Sequence, residues 1–155
     1  MEKEIIQSKG TVVLPKVVVF TTVSNAFAEE GVAISRLFEN ILSWRGIKSS
    51  LEKEIVCQRV VDSDISKLNV LRSLRDNFMP LDASDIWRII RLKNKNPETR
   101  LRDDGSCNWF LVGDNRGVIW CAKLFKSRHS GWKADLLPEA KFEYGELIFS
   151  GQFAK

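Results

Sequence analysis

The chain has 155 residues, of which 44% are hydrophobic and 28% charged, and it carries a formal net charge of +4. This length and balance suit a single compact domain over 1–155, divided at most into 1–61 and 62–155, and exclude a disordered or fibrous chain. The apolar runs, such as 17–20 and 109–112, are strand-length, so no membrane span is expected.

The expected class is α+β: a βαβ N-terminal part, then helices, then an antiparallel hairpin and a final strand. Residues 11–23 are rich in Val, Thr and Phe and read as a strand that starts properly after Pro15. Val17 to Phe20 are continuously apolar, as in a strand covered on both faces. Residues 26–44 read as a helix with Phe27, Ile34, Leu37, Phe38, Ile41 and Leu42 on one stripe, interrupted by Gly31. A strand follows over 51–61. A second helix is expected over 62–78, ended by Pro80. A third starts at Asp82, with Asp85 completing a capping box, and runs to Lys93. Asn96-Pro97-Glu98 has the composition of a helix start, which gives a short fourth helix over 97–103. Residues 108–112 and 118–125, joined by Gly113-Asp114-Asn115-Arg116-Gly117, form a hairpin. A last strand is expected over 144–150.

The opening Met1-Glu2-Lys3-Glu4 leads into no apolar core of an export signal, so the expected compartment is the cytoplasm. Cys57, Cys107 and Cys121 are odd in number and show no Cys-x-x-Cys spacing, and His129 is the single histidine. Free, structural thiols are expected, with no metal and no cofactor. Phosphate-binding and nucleotide-binding glycine loops and nucleophile elbows are absent from the sequence. Asp114 followed by Cys121-Ala122-Lys123 is similar to the restriction-nuclease pattern of an acid and then acid-x-Lys, but Cys stands where the second carboxylate belongs. No catalytic residue is assigned, and an enzyme is not the expected class.

Charge is uneven along the chain. Residues 81–133 hold eleven Lys and Arg against six Asp and Glu. An anionic partner is therefore expected for this stretch. The order of elements over 62–125, two helices, a short third helix and a hairpin, resembles a winged helix-turn-helix. That resemblance implies Arg100 and Arg102 on a groove-reading helix and Arg116 at the tip of a wing. Arg88, Arg91, Lys93, Lys95, Lys126, Arg128 and Lys133 would add backbone contacts. Trp132, after Ser130-Gly131, is the tryptophan expected at an interface. A second helix-turn-helix trace lies at 27–42, with Ala28 to Val32 as its turn. Two functions stay open. One is a non-enzymatic DNA- or RNA-binding protein using residues 82–133. The other is a small protein-interaction module or inhibitor that binds and blocks another macromolecule.

Overall fold

The computed structural model describes residues 4–152; residues 1–3, part of the stretch used for the export expectation, lie outside that range. The chain is α+β. Strand β1 (Ile6–Leu14) and strand β2 (Val17–Thr21) enter different sheets. The single strand expected over 11–23 is thus two, parted at Pro15, which has no N–H to give a ladder.

The helix expected over 26–44 is also two. Helix α1 (Val23–Glu29) is capped by Thr22 Oγ1, which accepts from Asn25 N at 3.1 Å. Gly31 then turns the backbone at φ +76°, strand β3 (Val32–Ile34) follows, and Ser35 caps helix α2 (Arg36–Leu42) by accepting from Phe38 N at 3.2 Å. The apolar stripe survives because both short helices face one core, where Phe27 and Phe38 meet edge to face at 5.3 Å. The helix-turn-helix trace at 27–42 fails for the same reason, since strand β3 follows its turn where the second helix should begin.

Strand β4 (Ile47–Ser50) pairs with β2 in a separate two-stranded ribbon, and strand β5 (Lys53–Val60) pairs with β1. Of the helix expected over 62–78 only α3 (Lys67–Leu74) and a 3-10 turn at Arg75–Asn77 form; strands β6 (Ile65–Ser66) and β7 (Phe78–Met79) flank them. Helix α4 (Ala83–Lys95) opens on the expected capping box, with Asp82 and Asp85 each accepting from the other's N–H at 3.0 Å.

No helix forms over 97–103. Asn96 Oδ1 accepts from Glu98 N at 3.1 Å, two residues on, which makes a turn that competes with a helix start. Strands β8 (Asn108–Gly113) and β9 (Ile119–Ser127) form the expected hairpin. Strand β10 (Gly131–Leu137) was not expected; β11 (Lys141–Phe142) and β12 (Leu147–Gln152) complete the chain.

The main sheet runs β1-β5-β12-β8-β9-β10-β3, with β7 against the end of β12. Its β12–β8 and β10–β3 pairs are parallel and the others antiparallel. The hairpin is therefore an interior part of this sheet, held between β12 and β10, and no free wing exists. Phe110 and Val112 face one core with α4, α1 and α2; Trp109 and Leu111 face a second, smaller core that includes Val70 of α3 and Phe142 of β11. Both faces of the hairpin are covered, as its apolar composition required.

Candidate interaction surface

The basic cluster of the sequence does not form one surface. Arg88 is buried: it donates to Asp85 Oδ1 at 2.9 Å and to Leu51 O at 2.8 Å. Lys93 is buried and donates to Thr99 O at 3.0 Å, which folds the 97–103 turn against the end of α4. Arg102 donates to Gly145 O at 2.6 Å and pairs with Asp104 at 2.7 Å, holding that carboxyl down at about 2. Arg100 is exposed and lies beside Gly10 of β1.

Arg116 is at the β8–β9 turn, and Lys126 and Arg128 are at the opposite end of β9, a strand of nine residues. That strand separates them by about 30 Å. Lys126 and Arg128 share a cleft with Asp103 and Asp104, so carboxylates stand among these cations. Lys133 is exposed on β10. Trp132 is only 6% exposed, packed in the main core with the Lys126 ammonium 5.9 Å from its ring, so the exposure expected of it is not found. Its burial follows from its place on β10, where the alternation Trp132-Lys133-Ala134-Asp135-Leu136 is a half-buried strand pattern.

Only Arg91 and Lys95 of the expected set come together without acids. With Arg88 they follow the i, i+3, i+7 spacing that puts residues on one helical stripe. They line a cavity of about 270 Å³ together with Lys16 and Val18, and none of its lining residues is acidic. Arg88, in its wall, is neutralised by Asp85. Among the described residues Lys16, Arg91 and Lys95 have no carboxylate partner; Arg91 instead lies over the Trp87 ring at 5.2 Å.

The other wall of that cavity leads to the most apolar exposed part of the molecule. Val17 and Val19 of β2 turn inward, while Val18 is 82% and Phe20 88% exposed. The expectation that both faces of this run are covered is corrected: β2 belongs to a two-stranded ribbon, and among the described residues nothing covers its outer face. Leu51, just after β4, is 78% exposed. No other large hydrophobics among the described residues are so exposed. Phe20 stands opposite Lys48. Phe20, Arg45 and Lys48 line a further cleft of about 600 Å³. Sequence reasoning missed Val18, Phe20 and Leu51, because apolarity alone does not separate a covered strand from an uncovered one.

Comparison with protein-family models, with curated proteins and with solved structures returns no match for this chain.

Several groups that could do chemistry have structural duties. Asp114 accepts from Trp120 Nε1 at 3.0 Å and from the N–H groups of Arg116 and Val118, so its carboxylate is committed to the β8–β9 turn. Burial pushes Cys121, the residue at the second nuclease position, up to about 12. Asp82 is raised by burial and then by the charge of Asp85, but both carboxylates cap α4. Glu146 accepts from Trp109 Nε1 at 3.1 Å and from Glu143 N at 2.7 Å. Among the described residues no group of three or more His, Cys, Asp or Glu is placed to hold a metal ion, and no helix is long and apolar enough to cross a membrane.

Proposed function

We propose that the chain is a non-catalytic interaction module whose contact face is the β2–β4 ribbon and the adjoining stripe of α4. The observation that carries this is the exposure of Val18 and Phe20 on β2 and of Leu51 just after β4, with Val18 lining the cavity that Lys16, Arg91 and Lys95 share. Soluble domains rarely leave apolar side chains of this size clustered in water, and such clusters rimmed by charge mark macromolecular contacts. The basic rim favours an anionic partner and speeds its approach. Of the two anionic classes, protein is favoured over nucleic acid. The most exposed groups are aliphatic as well as aromatic, whereas base stacking needs rings, and the arginines assigned to groove reading are dispersed. Binding that blocks the partner follows if the covered surface is a working one.

The test compares the wild type with a Val18→Ser/Phe20→Ser variant, both immobilised and exposed to nuclease-treated lysate of the source cells. The variant should fold normally, because both side chains are in solvent. A protein retained by the wild type and lost by the variant supports the module. Retention unchanged by the variant, or retention abolished by nuclease alone, contradicts it.

A further inference from the structure

We propose that the partner presents an extended, acidic segment that adds as a strand to the open edge of β2 and sets its carboxylates against Lys16, Arg91 and Lys95. This rests on the ribbon being the contact face and goes on to name what it takes.

Three observations converge. First, among the described residues β2 has a strand neighbour on one side only. Ser49 Oγ of β4 meets both backbone groups of Val19, its N–H at 3.0 Å and its C=O at 3.3 Å, which fixes the ribbon on that side. An unprotected edge is a template for another strand, and folds normally blunt it with charge, proline or a cover. Here Val17–Thr21 contains no charge and no proline, and Val18 and Phe20 are almost fully exposed. Second, the 270 Å³ cavity is lined by residues 15–18 and by α4, with no residue of β4. It therefore adjoins the start of β2 and not β4, next to the path an added strand would take. Third, the cavity's unpaired charges are all positive.

In strand addition, main-chain hydrogen bonds supply affinity and alternate side chains supply specificity. One face of the added strand would meet Val18 and Phe20; acids would meet the three cations. A second copy of this chain is disfavoured as occupant, because pairing β2 with itself would bring both sets of Lys16, Arg91 and Lys95 together.

The experiment selects a random peptide library against the full chain. The expected consensus alternates β-branched or aromatic residues with Asp or Glu and excludes Pro at its centre. N-methylation of a central amide in the consensus peptide should weaken binding by about tenfold, near the worth of one hydrogen bond. The Arg91→Glu/Lys95→Glu variant should abolish binding of the acidic peptide. No enrichment, a consensus without acids, or indifference to N-methylation overturns the inference. A stable homodimer that buries β2, or displacement of the peptide by single-stranded DNA at this face, overturns it as well. If the peptide arm fails while the Val18→Ser/Phe20→Ser variant still loses a protein partner, the module stands and strand addition falls. If both fail, both fall.

Discussion

Arg88 and Asp85, one turn apart on α4, form an ion pair at 2.9 Å with their side chains 3% and 2% exposed. Lys53 closes the other carboxylate oxygen of Asp85 at 2.9 Å, and Arg88 reaches Leu51 O at 2.8 Å and Pro15 O at 3.4 Å. The pair thus ties α4 to the two chain segments that begin and end the ribbon. It holds the proposed contact face in place.

Removing one member leaves a buried charge without its partner. Arg88→Ala should cost about 3–5 kcal/mol in denaturant unfolding. Arg100→Ala and Arg128→Ala, both exposed, should fall within about 0.5 kcal/mol of wild type. Equal small losses at all three positions would place Arg88 on the surface.

The main core should be as sensitive as the ribbon face is insensitive. Phe110 and Phe149, on neighbouring parallel strands, stack at 4.9 Å and are fully buried. Phe110→Ala should cost about 3–5 kcal/mol, from lost burial and the cavity left behind. Phe20→Ala should leave the unfolding midpoint nearly unchanged, since the ring is already in water. Comparable losses would mean that Phe20 is packed.

Asp82 gives a pH dependence of definite sign. Burial and the neighbouring Asp85 raise its pKa in the folded protein, outweighing the Arg45 guanidinium 3.5 Å away. A raised carboxyl binds its proton more tightly when folded than when unfolded. Its stabilising share is therefore present below the ordinary carboxylate range and is lost as pH rises through the raised value. Asp82→Asn keeps a good cap and removes this loss, so its stability should fall less than that of wild type as pH rises from acid toward neutral. Asp82→Ala removes the cap and should cost about 0.5–2 kcal/mol. A steeper fall for the Asn variant than for wild type would contradict the sign.

The thiols should be inert in the native state. Burial pushes Cys57 and Cys107 up to about 11 and Cys121 up to about 12, and the thiolate is the reactive form. Ellman's reagent near neutral pH should react slowly, at Cys107 first because it is the one partly exposed, and with all three after unfolding. A fast-reacting native thiol would show an environment different from the one described.

What the sequence made legible was local. The capping box of Asp82 and Asp85 marks the start of α4 within four residues, and the loop at 113–117 fixes the hairpin. What it hid depended on neighbours distant in the chain. The stripe from Phe27 to Leu42 reads as one helix because α1 and α2 face the same core, and only Gly31 and the cap at Ser35 reveal the break. Asn96-Pro97 carries the residues of a helix start, yet the buried Lys93 ammonium gathers the carbonyls of Pro97 and Thr99 into a turn. The basic excess of 81–133 was real as composition but did not survive as one surface. Lys93 and Arg102 bind backbone oxygens, and Arg116 lies the length of β9 from Arg128. Arg88, Arg91 and Lys95 share a stripe that could have been read, but its complement, Lys16 with Val18, lies some seventy residues earlier and joins it only in the fold.

The most direct measurement places a photo-cross-linking amino acid at position 20, with position 116 as control, and irradiates each protein in nuclease-treated source-cell lysate. The account predicts a protein adduct at position 20, none at position 116, and loss of the position 20 adduct when Arg91→Glu and Lys95→Glu are added. No adduct at position 20, an adduct equally strong at 116, or a nucleic-acid adduct at position 20 when nuclease is omitted would contradict it.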